Sequence, residues 1–146
     1  MKIIKINISK SAIFKDVSLN TAYAEAGNAS DSNRIQTIDD DKSYLDRAFS
    51  EIVGWITDRL RQFLQDYKSI DGDVQFILEV SGSYDDSLTS TVESDLREAI
   101  AAGVTAAWFR FTCPSLVKEW QELRETILNR VISKLCYRKK PVRLPH

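Results

Sequence analysis

The stretch L-R-Q-F-L-Q-D-Y-K-S-I-D-G-D-V-Q-F-I-L-E-V, residues 60–80, decides how this chain is read. Its second half is the clearer. Asp71-Gly72-Asp73 is a turn, since aspartate and glycine both favour tight reversals. Val74, Phe76, Leu78 and Val80 then alternate with Gln75, Ile77 and Glu79, which marks a half-buried strand. Ser81-Gly82-Ser83 ends it. The first half continues a helical period that starts upstream. Tyr44, Leu45, Ala48, Phe49, Ile52, Trp55, Ile56, Leu60, Phe63, Leu64 and Tyr67 recur at three- and four-residue steps. Arg47, Glu51, Asp58, Arg61 and Asp66 fill the opposite face. The spacing predicts an amphipathic helix from about 41 to 68, capped by one of Asp39, Asp40 or Asp41. Gly54 in its middle is expected to admit a close helix crossing.

Outward from this centre, Lys2 to Ile8 (K-I-I-K-I-N-I) puts Ile4, Ile6 and Ile8 on one face and reads as a short strand. Residues 9–37 are small and polar, with no period that lasts, and are expected to form an extended arm. Downstream, a second helix is expected from Ser87 or Thr89 to about Phe111. Leu88, Val92, Leu96, Ala99, Ile100, Gly103, Val104, Ala107, Trp108 and Phe111 are expected to form its wide apolar face. Pro114 suits the first turn of a third helix, because a proline's missing N–H would be unpaired there anyway. That helix is expected to run to about Tyr137, antiparallel to the second. Pro141 and Pro145 make the end an extended tail. The fold class is therefore mainly α with some β (α+β). The expected form is a three-helix bundle with one or two short strands and extended N- and C-terminal arms. It is one domain over 1–146, with strand and arm in 1–37, helical body in 38–137 and basic tail in 138–146.

Composition removes several classes of function. The 146 residues suit one domain. No run approaches the roughly 18 apolar residues of a membrane span. Met1 to Ser9 lacks the uninterrupted apolar core of a signal peptide, so Cys113 and Cys136 are expected to be reduced thiols. His146 is the single histidine, which leaves little room for histidine-based catalysis or metal binding. Cys113 reads as a buried small hydrophobe and Cys136 as a thiol in a basic turn. Neither has an acid–base partner in sequence view. The three tryptophans, Trp55, Trp108 and Trp120, fall on apolar helical faces as core or interface anchors. Asp71 and Asp73 could hold a hard cation, but a turn explains them more simply. No catalytic residue, cofactor site or metal site is expected.

Charge is where the sequence speaks of partners. The net charge is −1, but residues 71–98 carry −7 and residues 126–146 carry +6. Blocks of opposite sign at opposite ends of a body could pair between copies, head to tail. Contacts of that kind close into rings or run on as filaments. Exposed strands could likewise be completed by a neighbour's strand. The expected partner-binding residues are Arg138, Lys139, Lys140 and Arg143 on the basic side. On the acidic side they are Asp71, Asp73, Asp85 and Asp86.

The layout of a helix, the strand and turn V-Q-F-I-L-E-V-S-G (residues 74–82), and a helix pair ending in L-C-Y-R-K-K-P-V-R-L-P (135–145) resembles the small neck proteins of tailed phages and prophages. The resemblance covers about residues 41–143. It implies a non-enzymatic virion protein, a head–tail connector or adaptor forming a ring on the portal. It also implies other neck or tail proteins as partners, and a place in the virion after assembly in the host cytoplasm. It involves no membrane. The alternative is a small regulatory or nucleic-acid-binding protein using the basic tail, where each phosphate contact would release a counterion.

Overall fold

A computed structural model describes residues 1–27 and 41–138. The order is β1 (Lys2–Ile8), α1 (Lys10–Gly27), α2 (Lys42–Arg59), β2 (Leu64–Ile70), β3 (Asp73–Val80), α3 (Thr89–Thr112) and α4 (Val117–Cys136). Short 3-10 turns at Asp86–Leu88 and Pro114–Leu116 lead into α3 and α4. Among the described residues the chain is mainly helical, with four helices and a three-stranded antiparallel sheet in the order β1-β3-β2. The α+β class holds, and the three-helix bundle does not.

Two of the expected elements take another form. Residues 10–27 are helix α1 rather than an extended arm. Ser9 precedes it, and its Oγ accepts from the Ala12 N–H at 3.3 Å, while Asp73 Oδ1 accepts from the Lys10 N–H at 2.9 Å. Together they satisfy two of the free amides of a helix start. The buried stripe of α1 is Ile13, Val17 and Thr21. Thr21 returns its hydroxyl to the Val17 carbonyl at 2.9 Å, so a polar residue can sit in the core face. Residues 28–37 of the expected arm lie outside the described residues.

The helix read over 41–68 stops at Arg59, with Leu60 as its C-cap. Leu60 is wholly buried, yet the period beyond it belongs to β2. The cause is the Asp71-Gly72 turn. Both residues have positive φ, 52° and 89°, the conformation of a two-residue type I′ hairpin, and Asp-Gly is a favoured pair for it. The hairpin pairs Ile70 with Asp73, Lys68 with Gln75 and Tyr67 with Phe76. A register shift between Leu64 and Asp66 makes Gln65 a bulge.

The core lies between the sheet and the helices. Ile4, Ile6 and Ile8 from β1 meet Val74, Phe76, Leu78 and Val80 from β3 on the helix-facing side. Val92, Leu96, Ile100 and Val104 of α3 and Ile127, Leu128 and Val131 of α4 complete it. Gly103 marks the close crossing: a Cβ there would fall 2.9 Å from two carbons of Ile52 on α2 and 3.1 Å from Arg124 on α4. A Cβ at Gly54 would meet nothing within 4 Å, so the close approach belongs to α3 rather than to the middle of α2. No described helix is long and apolar enough to cross a membrane.

Candidate interaction surfaces

Among the described residues, part of the acidic block lies beside part of the basic block. The short link at Cys113 and Pro114 folds α4 back antiparallel on α3, which lays the C-terminal half of α4 beside the N-terminal half of α3. Asp95, 8% exposed, accepts from Arg130 at 3.2 Å and from Lys134 at 2.6 Å. Arg130 also reaches Glu98 at 3.9 Å. Part of each block is therefore matched inside one chain. A carboxylate this shielded is tolerated because two cations hold it. For these residues of α3 and α4 the expected separation of the charge blocks does not hold.

The expected partner residues divide accordingly. Asp73 caps α1. Asp85 caps the turn before α3, with Oδ1 accepting from the Ser87 N–H at 3.0 Å. Asp86 pairs with Lys2 at 3.0 Å. Asp71 is a hairpin residue at positive φ. Three of the four acids thus do structural work, and the four are not brought together as one patch. Arg138 forms an isolated β-bridge with Tyr84, so the chain after α4 starts back along the body. Lys139, Lys140 and Arg143 lie outside the described residues.

Other features are structural in character. Cys113 is buried and Cys136 exposed. Trp108 is buried beside Phe109, whose ring lies 6.1 Å from that of Trp120. Trp55 is stacked by the guanidinium groups of Arg124 at 4.2 Å and Arg59 at 5.3 Å. Burial, and behind it the nearby charges of Arg110 and Arg59, pull the Arg124 guanidinium below its usual range. Arg59 is tied in turn to Glu125 and Asn129. Among the described residues no group of three or more histidine, cysteine or acidic side chains is placed to hold a metal. A shallow groove of about 330 Å³ between α1, α3 and α4 carries Asp16 and Arg97 on its wall. These two engage each other through a two-bonded contact at 2.8 and 3.0 Å, and that hydrogen-bonded pairing raises the arginine's pKa. A second groove of about 490 Å³ runs under β2, between Phe49, Val53 and Thr57 of α2 and Leu64 and Tyr67.

The sequence reading missed β2 as a surface. Six of its seven residues are exposed, and the seventh, Leu64, is half-buried. Tyr67 and Ile70 are 39% and 62% exposed. β3 lies along one side of β2, and among the described residues no strand lies along the other. The available signal was the Asp-Gly pair with a strand already recognised after it, since a two-residue hairpin requires a strand on both sides.

Compared with known protein families, curated proteins and solved structures, the chain matches none of them.

Proposed function

We propose that this chain is a non-enzymatic structural protein that works by joining neighbouring molecules. The reading follows the layout of tailed-phage neck proteins: a head–tail connector forming a ring on the portal. The observation that carries the associating role is β2, a strand exposed on both faces at a sheet edge that, among the described residues, is open. An edge strand offers unpaired main-chain donors and acceptors, and partner strands add to such edges by main-chain hydrogen bonding. The folded body supplies a rigid platform for that edge. Its grooves are shallow, and the charged pair on the wall of the one between α1, α3 and α4 is already mutually satisfied. The paired residues of α3 and α4 satisfy part of each charge block within one chain, so in this reading association falls to the edge strand and to the basic tail beyond Arg138.

The test is co-expression with the portal protein encoded beside its gene, followed by size-exclusion with light scattering and negative-stain microscopy. The expected result is co-elution as a ring-shaped complex. A gene with no portal or capsid neighbour, or a chain that stays apart from the portal at both low and high salt, contradicts the neck reading.

A further inference from the structure

We infer that β2 pairs with β2 of a second copy of this chain, antiparallel and about a two-fold axis at Tyr67, to make one continuous six-stranded sheet. The inference rests on the strand edge and not on the neck reading. In a two-residue hairpin the residues flanking the turn form the first hydrogen-bonded pair, and bonded and non-bonded pairs then alternate. From Ile70–Asp73, the pairs through Lys68 and Asp66 point their main chains at β3. Ser69 and Tyr67 turn theirs outward to the open edge. One bond supports this assignment: the Tyr67 N–H is taken up by its neighbour Asp66, Oδ1 accepting at 2.8 Å.

Outward residues must meet outward residues, which restricts a symmetric antiparallel pairing to three central registers. Centred on Asp66, the pairing sets two aspartates face to face. Centred on Lys68, it sets two lysines face to face. Centred on Tyr67, it sets each Asp66 opposite the other copy's Lys68, twice. Opposite charges across antiparallel strands are favourable and like charges are not. The strand L-Q-D-Y-K-S-I is thus self-complementary in one register of the three. In that register the Tyr67 main chains exchange two hydrogen bonds at the axis. Asp66 and Lys68 face solvent. Tyr67 lies on the same face as Phe76, 5.8 Å away ring to ring, so both tyrosine rings meet over the two grooves beneath β2, with both helical layers on one side of the sheet. The Asp66 carboxylate that now holds the Tyr67 amide would turn to the partner's lysine. β1, the opposite edge, carries no acid, so no self-pairing of β1 matches unlike charges. The β2 contact is isologous and closes as a dimer; a ring built from such dimers uses a second surface.

The test is sedimentation equilibrium of the whole chain from about 10 μM to about 1 mM, the range of weak, small interfaces. Wild type is expected to form a dimer that weakens with added salt. Asp66→Lys and Lys68→Glu, both at exposed positions and verified as folded by circular dichroism, are each expected to weaken the dimer by about tenfold or more, since both cross-strand pairs become repulsive. The double variant restores it. A mixture of the two single variants forms a heterodimer, because each then presents two like charges opposite two of the other sign. Wild type that stays monomeric throughout overturns the inference. So does a dimer whose strength ignores both single substitutions. Failure of portal binding with the charge-reversal pattern intact would remove the neck reading and leave the strand pairing standing.

Discussion

β1 and β2 are the two edges of one sheet, and they are held in opposite ways. Along β1 every second residue is buried: Ile4, Ile6 and Ile8 are 8%, 0% and 2% exposed. Along β2 no residue is fully buried. Both strands are seven residues long and both pair with β3. The difference is what lies beneath. α3 packs under β1, whereas β2 overhangs a groove. A strand's stability here comes from the face it buries rather than from its ladder, and the strand that buries least is the one free to receive a partner.

The comparison breaks most sharply by truncation in the core. Ile6→Ala is expected to cost about 2–5 kcal/mol, from lost transfer energy and the cavity left behind. Ser69→Ala on β2 should stay within about 0.5 kcal/mol, as at other exposed sites. Urea unfolding monitored by circular dichroism measures both. Equal losses would show that β2 is as much a part of the core as β1.

Next in size is the clasp that holds the helical layer under β1. Asp95→Ala removes the shared acceptor of Arg130 and Lys134. Because both cations are partly exposed and can turn to water, the loss is expected at about 1–2 kcal/mol rather than the larger figure for a fully buried pair. An unchanged urea midpoint would mean that the clasp is decorative.

Two glycines sharpen the layer further. Gly103→Ala gains helix propensity of about 1 kcal/mol, but its new methyl meets Ile52 at 2.9 Å. Crowding of that kind costs about 1–3 kcal/mol, so a net loss is expected. Gly54→Ala meets nothing and should stabilise by up to about 1 kcal/mol. Opposite signs in thermal unfolding are the diagnostic result.

The smallest effect is a pH dependence. Burial raises the pKa of Tyr44, whose hydroxyl donates to the Ala107 carbonyl at 2.9 Å, and likewise that of Tyr84. The unfolded chain ionises its tyrosines first, near the ordinary value of about 10. Their contribution is therefore intact below that range and is lost as pH rises through it. Urea midpoints measured from about pH 9 to about pH 11 should fall, and fall less in the Tyr44→Phe/Tyr84→Phe double variant. An equal fall in both proteins would assign the loss to other groups.

How far the sequence discloses this molecule can be judged from the same strands. β1, β3, α3 and α4 are legible because each presents an uninterrupted apolar face at its own period. α1 is hidden because its buried stripe includes Thr21, whose hydroxyl is satisfied within the helix itself. β2 is hidden for a different reason. Leu60, Phe63, Leu64 and Tyr67 fit a helical period, and only pairing with β3 gives the strand its shape. The matching of acids and bases on α3 and α4 depends on how two helices lie, which charge counts along a chain do not disclose. Asp66 and Lys68 become informative once their neighbour across the edge is fixed by the hairpin.

Hydrogen exchange tests the difference between the two edges most directly. The account predicts that the Ser69 amide exchanges rapidly in dilute solution and becomes protected as concentration rises, while the Ile4, Ile6 and Ile8 amides, turned towards β3, are protected at every concentration. A Ser69 amide already protected in dilute solution, or exchange unaltered up to about 1 mM, the weak limit of association considered, would contradict it.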